Sequence, residues 1–278
     1  MKTLGIIAGG GALPHAVAQC AQDAGKKVFV VALSSAADET IGSFPHAWTS
    51  IGEAGKLLRL LHEHDCEDVL FAGRVARPKF VELKTDAKGV MLMPRIAAAA
   101  RRGDDALLRT LTEILADEGF RTVGIAEAAP GLLTTEGVLG RIVPDQDNER
   151  DVTRAIEVVR TLGALDVGQA AIVCAGLVLA VEAAEGTDAM IVRAGALPHN
   201  VRGTSENRRG VLAKALKPTQ NGKTDLPVIG LQTVQNCSDA GLAGIAVEAG
   251  YSLILDRAAV IQAADAAGLF VLGFESRV

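Results

Sequence analysis

The chain has 278 residues, 49% of them hydrophobic and only 3% aromatic, and carries a formal net charge of −5. So much apolar content excludes a disordered chain, and the length admits two domains with cores of Ala, Val, Leu and Ile. The acidic balance argues against a nucleic-acid partner, which needs a clustered positive field, and the pairs Arg101-Arg102 and Arg208-Arg209 suit solvated surface or one small anion.

In chain order, Leu4–Ala8 is a short apolar strand that runs into Gly9-Gly10-Gly11, and Leu13–Ala24 is a helix closed by Gly25. Lys27–Leu33 is a β-branched strand, Gly55–His64 an amphipathic helix and Asp68–Gly73 a third strand. A helix over Asp104–Glu118, capped by Asp104 or Gly103, leads to a strand over Arg121–Ala126. This alternation predicts a Rossmann-like parallel sheet in a domain over residues 1–132. Pro130-Gly131 and the polar run Pro144–Arg150 bracket the expected hinge.

A second α/β domain, 133–278, follows. Asp151–Leu162 is helical, the apolar runs Ala170–Cys174 and Leu177–Ala184 are strands, and Thr187–Leu197 is a helix. Strands are expected at Leu226–Leu231, Gly244–Val247, Ser252–Leu255 and Phe270–Phe274, with helices at Val234–Ala240 and Asp256–Ala267. The apolar stretch Ala170–Val181 is far shorter than the ~20 residues of a membrane span, and the N-terminus lacks a signal peptide's layout. Cys20, Cys66, Cys174 and Cys237 have no metal-type spacing, so buried free thiols in a reducing cytoplasm are expected. The histidines form no zinc motif and read as structural or exposed.

Ala8-Gly9-Gly10-Gly11-Ala12-Leu13-Pro14 follows the first strand. Its glycines allow backbone N–H groups to approach a phosphate at a helix N-terminus, or else simply make a tight turn. Pro14 stands where a dinucleotide fingerprint has its third glycine, and Leu33 leads into Ser34-Ser35 rather than an acid, which disfavours NAD. Gly73-Arg74-Val75-Ala76-Arg77-Pro78 lies at a strand's carboxyl end, where its arginines read either as an anion clamp or as solvated charge. Gly103-Asp104-Asp105 reads as helix capping, and Val90-Met-Leu-Met-Pro-Arg95 as core packing ahead of lipid contact.

Glu182, Glu185, Asp188 and Arg193 cluster where Gly186-Thr187-Asp188 joins a strand to a helix. Lys214 and Lys217 precede Lys223 and Asp225, and Thr233 follows. The cations suit phosphate oxygens, and Asp225 or Asp188 could hold Mg²⁺ or orient water; a surface loop is the plain alternative.

Five segments in this order, Ala8-Gly-Gly-Gly-x-Leu-Pro14, Gly73-x-Val-x-Arg-Pro78, Gly103-Asp-Asp-x-Leu-Leu108, Glu185-Gly-Thr-Asp-Ala189 and Asp225-Leu-Pro-x-Ile-Gly230, together resemble the LpxI-type UDP-2,3-diacylglucosamine pyrophosphatases of lipid A biosynthesis. Asn221 departs from the family pattern, which carries an acid there. The resemblance implies Mg²⁺-dependent hydrolysis to UMP and 2,3-diacylglucosamine 1-phosphate, in a cleft between the two domains. It implies Asp225, Asp188 and Lys214 as catalytic residues, with both aspartates on the metal. Gly10, Gly11, Ala12, Leu13, Gly73, Arg74, Thr187, Lys217 and Thr233 are the expected substrate contacts. Peripheral contact with the inner membrane and homodimerisation stay open. So do two other classes, a nucleotide-dependent oxidoreductase and a non-catalytic nucleotide-sugar or lipid carrier.

Overall fold

A computed structural model of the chain describes residues 2–76, 83–217 and 226–275. They form two compact units, Met1–Gly131 and Leu132–Val278.

The first unit runs β1 (Thr3–Ala8), α1 (Leu13–Asp23), β2 (Lys27–Leu33), β3 (His46–Thr49), α2 (Ala54–Glu63), β4 (Cys66–Ala72), α3 (Ala87–Ala100), α4 (Asp104–Asp117), β5 (Arg121–Thr122) and α5 (Ile125–Ala128). Its strands make one parallel sheet in the order β3-β2-β1-β4-β5. Parallel crossovers put helices on both faces, so central strands are buried on both sides and read as unbroken apolar runs. Thus Ile6, Ile7, Val30 and Val31 are all buried. Leu58 and Leu61 of α2, Leu115 of α4 and Phe120 cover one face over Ile7, Phe29, Val31 and Val69. The chain goes outward from β1 through β2 and β3, then returns to pair β4 with β1. Strand order therefore reverses between β1 and β4, and ligands of open α/β sheets bind beyond the carboxyl ends at such a reversal.

The second unit runs β6 (Gly137–Val138), α6 (Gln146–Ala164), β7 (Ala170–Cys174), β8 (Leu177–Val181), α7 (Gly186–Gly195), β9 (Val211–Lys214), β10 (Val228–Ile229), α8 (Leu231–Asp239), β11 (Gly244–Glu248), β12 (Leu253–Ile254), α9 (Arg257–Ala266) and β13 (Phe270–Phe274). Six strands form a mixed sheet, β6-β13-β11-β9-β7-β8, while β10 pairs with β12. β9, β11 and β13 are parallel; β7 runs antiparallel to β8 and β9. The two-residue alternation of strands sorts the core. Ile172 and Leu212 face Met190, Val234 and Val260 of α7, α8 and α9. Ala171, Val173 and Val211 face Val152, Ala155 and Val159 of α6. Ala175 and Gly176, with φ of 50° and 77°, turn the β7–β8 hairpin. Their N–H groups donate to the buried Asp151 carboxylate at 2.9 and 2.8 Å.

The Asp145 carboxylate accepts from Asn148 N at 2.8 Å and starts α6 at Gln146. Three expectations are corrected. The strand expected over Arg121–Ala126 stops at Thr122, because Gly124 caps α5. The strand expected over Leu226–Leu231 shrinks to Val228–Ile229, because Gly230 and Thr233 cap α8 from Leu231. On α3, Val90 and Met91 are 60% and 74% exposed, so they are not core.

A single aspartate fixes the start of two helices. Asp86 Oδ1 accepts from Gly89 N at 2.7 Å in α3, and its Oδ2 accepts from Lys56 N at 2.9 Å in α2. Burial opposes ionisation of Asp86, but donors at Gly89, Lys56 and Gly55 outweigh it and hold the carboxyl below the usual range.

Candidate functional site

At the strand-order reversal of the first unit, the turn after β1 lies against the turn after β4. Gly9 N donates to Ala72 O, and Gly10 and Arg74 exchange backbone hydrogen bonds of 2.8 and 2.9 Å. No side chain fits here: a Cβ on Gly9 would stand 2.5 Å from Arg74 O, and one on Gly10 2.6 Å from Ala36 O. The structure thus brings Gly10, Gly11, Gly73 and Arg74 to one place, beside Ala12 and Leu13 at the start of α1.

The glycine N–H groups, however, already have acceptors within the chain. Gly11 N donates to Asp38 Oδ2 at 2.8 Å. Asp38 lies past the turn at Ser34-Ser35, and spacing alone did not reveal this pairing. The backbone donors that the first turn of α1 leaves without intrahelical partners are those of Ala12, Leu13 and His15, since Pro14 has none. Gly103, not Asp104, occupies the N-cap of α4. Arg77 lies outside the described residues.

In the second unit, the carboxyl ends of β8, β9 and β11 carry Glu182, Lys214 and Glu248, all buried. Lys214, only 4% exposed, donates from Nζ to Thr187 Oγ1 and to Val228 O, both at 3.0 Å. Thr187 Oγ1 donates in turn to Glu182 Oε1 at 2.8 Å, and Glu182 Oε2 accepts from Gln169 N at 3.1 Å. Glu248 Oε2 accepts from Leu216 N at 2.9 Å, and Arg160 lies 3.7 Å from its other oxygen.

Asp188 is exposed and accepts from Asn236 Nδ2 at 3.0 Å. Burial pushes the Cys237 thiol up, with Lys214 lowering and Asp188 raising it, so both charges act on that side chain. Lys217 pairs with Asp166 at 2.8 Å. Thr233 is buried, its hydroxyl accepting from Gly230 N at 3.4 Å in the α8 cap. Glu185 pairs with Arg193 at 2.7 Å, on the exposed side of α7. Thr187 and Lys214 therefore come together with Glu182, whereas Lys217 and Thr233 hold other partners. Asp225 and Lys223 lie outside the described residues.

Four histidines pack against aromatic rings in the first unit, and His199 is exposed. Cys66, Cys174 and Cys237 are buried free thiols, and burial pushes Cys66 up to about 12.

The LpxI N-terminal domain model matches residues 3–132, and the LpxI C-terminal domain model matches 135–272. The chain belongs to the LpxI family. It is 48% identical over 275 residues, 99% of this chain and 98% of the relative, to the UDP-2,3-diacylglucosamine pyrophosphatase LpxI of Caulobacter vibrioides. The two LpxI domain matches fall one on each compact unit. Among the described residues, no helix is long and apolar enough to cross a membrane.

Proposed function

We propose that this chain hydrolyses the pyrophosphate of UDP-2,3-diacylglucosamine to UMP and 2,3-diacylglucosamine 1-phosphate. The observation that carries this reading is 48% identity across 99% of the chain to a pyrophosphatase of that name. Water adds to one phosphorus, the bridging P–O bond breaks, and the proton of the water passes to solvent. Cys237, the thiol that feels Lys214 and Asp188, is buried and held protonated, which favours direct attack by water over a covalent enzyme intermediate.

We assign Mg²⁺ to the reaction. Among the described residues no group of three or more His, Cys, Asp or Glu side chains is arranged to hold a metal. Mg²⁺ is commonly held by one or two carboxylates with substrate phosphates and water, and the exposed Asp188 fits one such place. Asp188 and Asp225 would hold the ion, which supplies charge neutralisation and polarises water. Lys214, steadied by Thr187, would balance charge on the pyrophosphate, with Lys217 nearby in sequence. In the first unit, Gly10, Gly11, Ala12, Leu13, Gly73 and Arg74 would contact a polar part of the substrate. The exposed Val90 and Met91 support a peripheral contact with lipid.

The test is incubation of purified chain with UDP-2,3-diacylglucosamine and Mg²⁺. Equimolar UMP and diacylglucosamine 1-phosphate are expected, lost on chelation and restored by Mg²⁺. Tight binding without UMP release would make the chain a carrier instead.

A further inference from the structure

The buried cluster at the ends of β8 and β9 has a fixed direction. A lysine ammonium only donates, so Thr187 Oγ1 accepts from Lys214. The single proton of that hydroxyl is left for Glu182 Oε1, and a carboxylate only accepts. Glu182 is itself clamped. Its N–H donates to Ala170 O at 2.9 Å, its Oε2 accepts from Gln169 N, and a Cβ on Gly168 would collide with its carbonyl. The Lys214 ammonium is held from two elements at once, by Thr187 Oγ1 on α7 and by Val228 O on β10, so moving Thr187 moves the charge.

A buried carboxylate and a buried ammonium joined through the half-buried Thr187 are a poor device for stability alone, because apolar residues of the same volume often serve as well or better. Resting on the hydrolase reading above, we propose that Glu182 is a positioning residue. It orients the Thr187 hydroxyl and, through it, aims the Lys214 ammonium at the substrate pyrophosphate. Glu182→Gln keeps the shape but gives the side chain a donor end. Either the Thr187 hydroxyl meets an NH₂ group and loses its acceptor, or Gln169 N does and the side chain loses its clamp; in both cases the Thr187 hydroxyl is no longer held in place.

The experiment is a double-mutant cycle on UMP release with Glu182→Gln, Lys214→Met and the pair, each checked for native circular dichroism. Misplacing a catalytic group by an ångström costs on the order of 100-fold, so Glu182→Gln is expected to lower kcat/KM about 100-fold in the wild-type background. With Lys214 already replaced, the same change should cost less than about threefold, because its effect runs through that ammonium. Glu182→Asp, which keeps the charge, should recover part of the loss. A folded Glu182→Gln with near wild-type turnover overturns the proposal, and so does an undiminished loss in the Lys214→Met background. If Glu182→Gln does not fold, Thr187→Val takes its place in the cycle, with the same expected and refuting results. Wild-type chain that releases no UMP refutes the hydrolase reading alone. The relay is then decided by lipid affinity, where Glu182→Gln must raise Kd only when Lys214 is present.

Discussion

An alanine at Gly73 meets two obstacles, and an alanine at Gly11 meets one of them. Both glycines hold φ of +89°. A left-handed backbone costs an L side chain about 1–2 kcal/mol. Around Gly11 a new Cβ has open space, whereas at Gly73 it would stand 2.7 Å from Gly10 O and 2.8 Å from Pro14 Cγ. Such overpacking adds about 1–3 kcal/mol, so Gly73→Ala should cost about 2–5 kcal/mol in all. For a unit of this size each kcal/mol lowers the melting point by about 3–6 °C, so the variants should melt at least ~3 °C apart. Only Gly73→Ala strains the Gly10–Arg74 bridge, so it should also weaken substrate binding more than Gly11→Ala does. Calorimetric melts of both variants, with binding of UDP-2,3-diacylglucosamine to each, make the comparison. Equal melting points would refute the reasoning, because the backbone of the β1 turn would then yield without cost.

Other outcomes are open to measurement. Asp225→Asn should abolish UMP release while leaving the melting point and substrate binding in place; near-normal turnover would remove Asp225 from the mechanism. Asp151→Ala should destabilise the second unit by about 2–3 kcal/mol, because two N–H groups of the β7–β8 turn lose a carboxylate and water replaces it only in part. An unchanged denaturant midpoint would show that the turn stands without it. Asp86 has a folded-state carboxyl held below its unfolded value, so its contribution is complete above about pH 4 and disappears as pH falls through the folded value. Acid titration of the melting point should therefore be less steep in Asp86→Asn than in wild type.

The first sheet was legible because its strands are short apolar runs punctuated by glycine, as at Leu4–Ala8 and Lys27–Leu33. Helix α3 was not. Pro94 interrupts it, and Val90 and Met91 put apolar side chains on its solvent face, so no amphipathic period marks it. The strand His46–Thr49 is too short and too mixed to stand out. In the site, glycines and lysines announced themselves by type, but their hydrogen bonds did not. Asp38 reaches Gly11 across 27 positions, as Lys214 reaches Thr187, and pairings over such distances are set by topology. Glu182 reads as one acid among several until burial separates it from the exposed Glu185.

The double role of Asp86 bears on the order in which the first unit is completed during synthesis. Lys56 and Asp86 are 30 positions apart, so α2 is made before the carboxylate that closes its start. At roughly 5–20 residues per second, that carboxylate follows the helix by about 2–6 s. A helix as short as α2 is marginal by itself in water, so for that interval it depends on the strands already made. The arrival of one side chain then settles two helices together, and an N-terminal fragment ending before Asp86 should hold α2 only loosely.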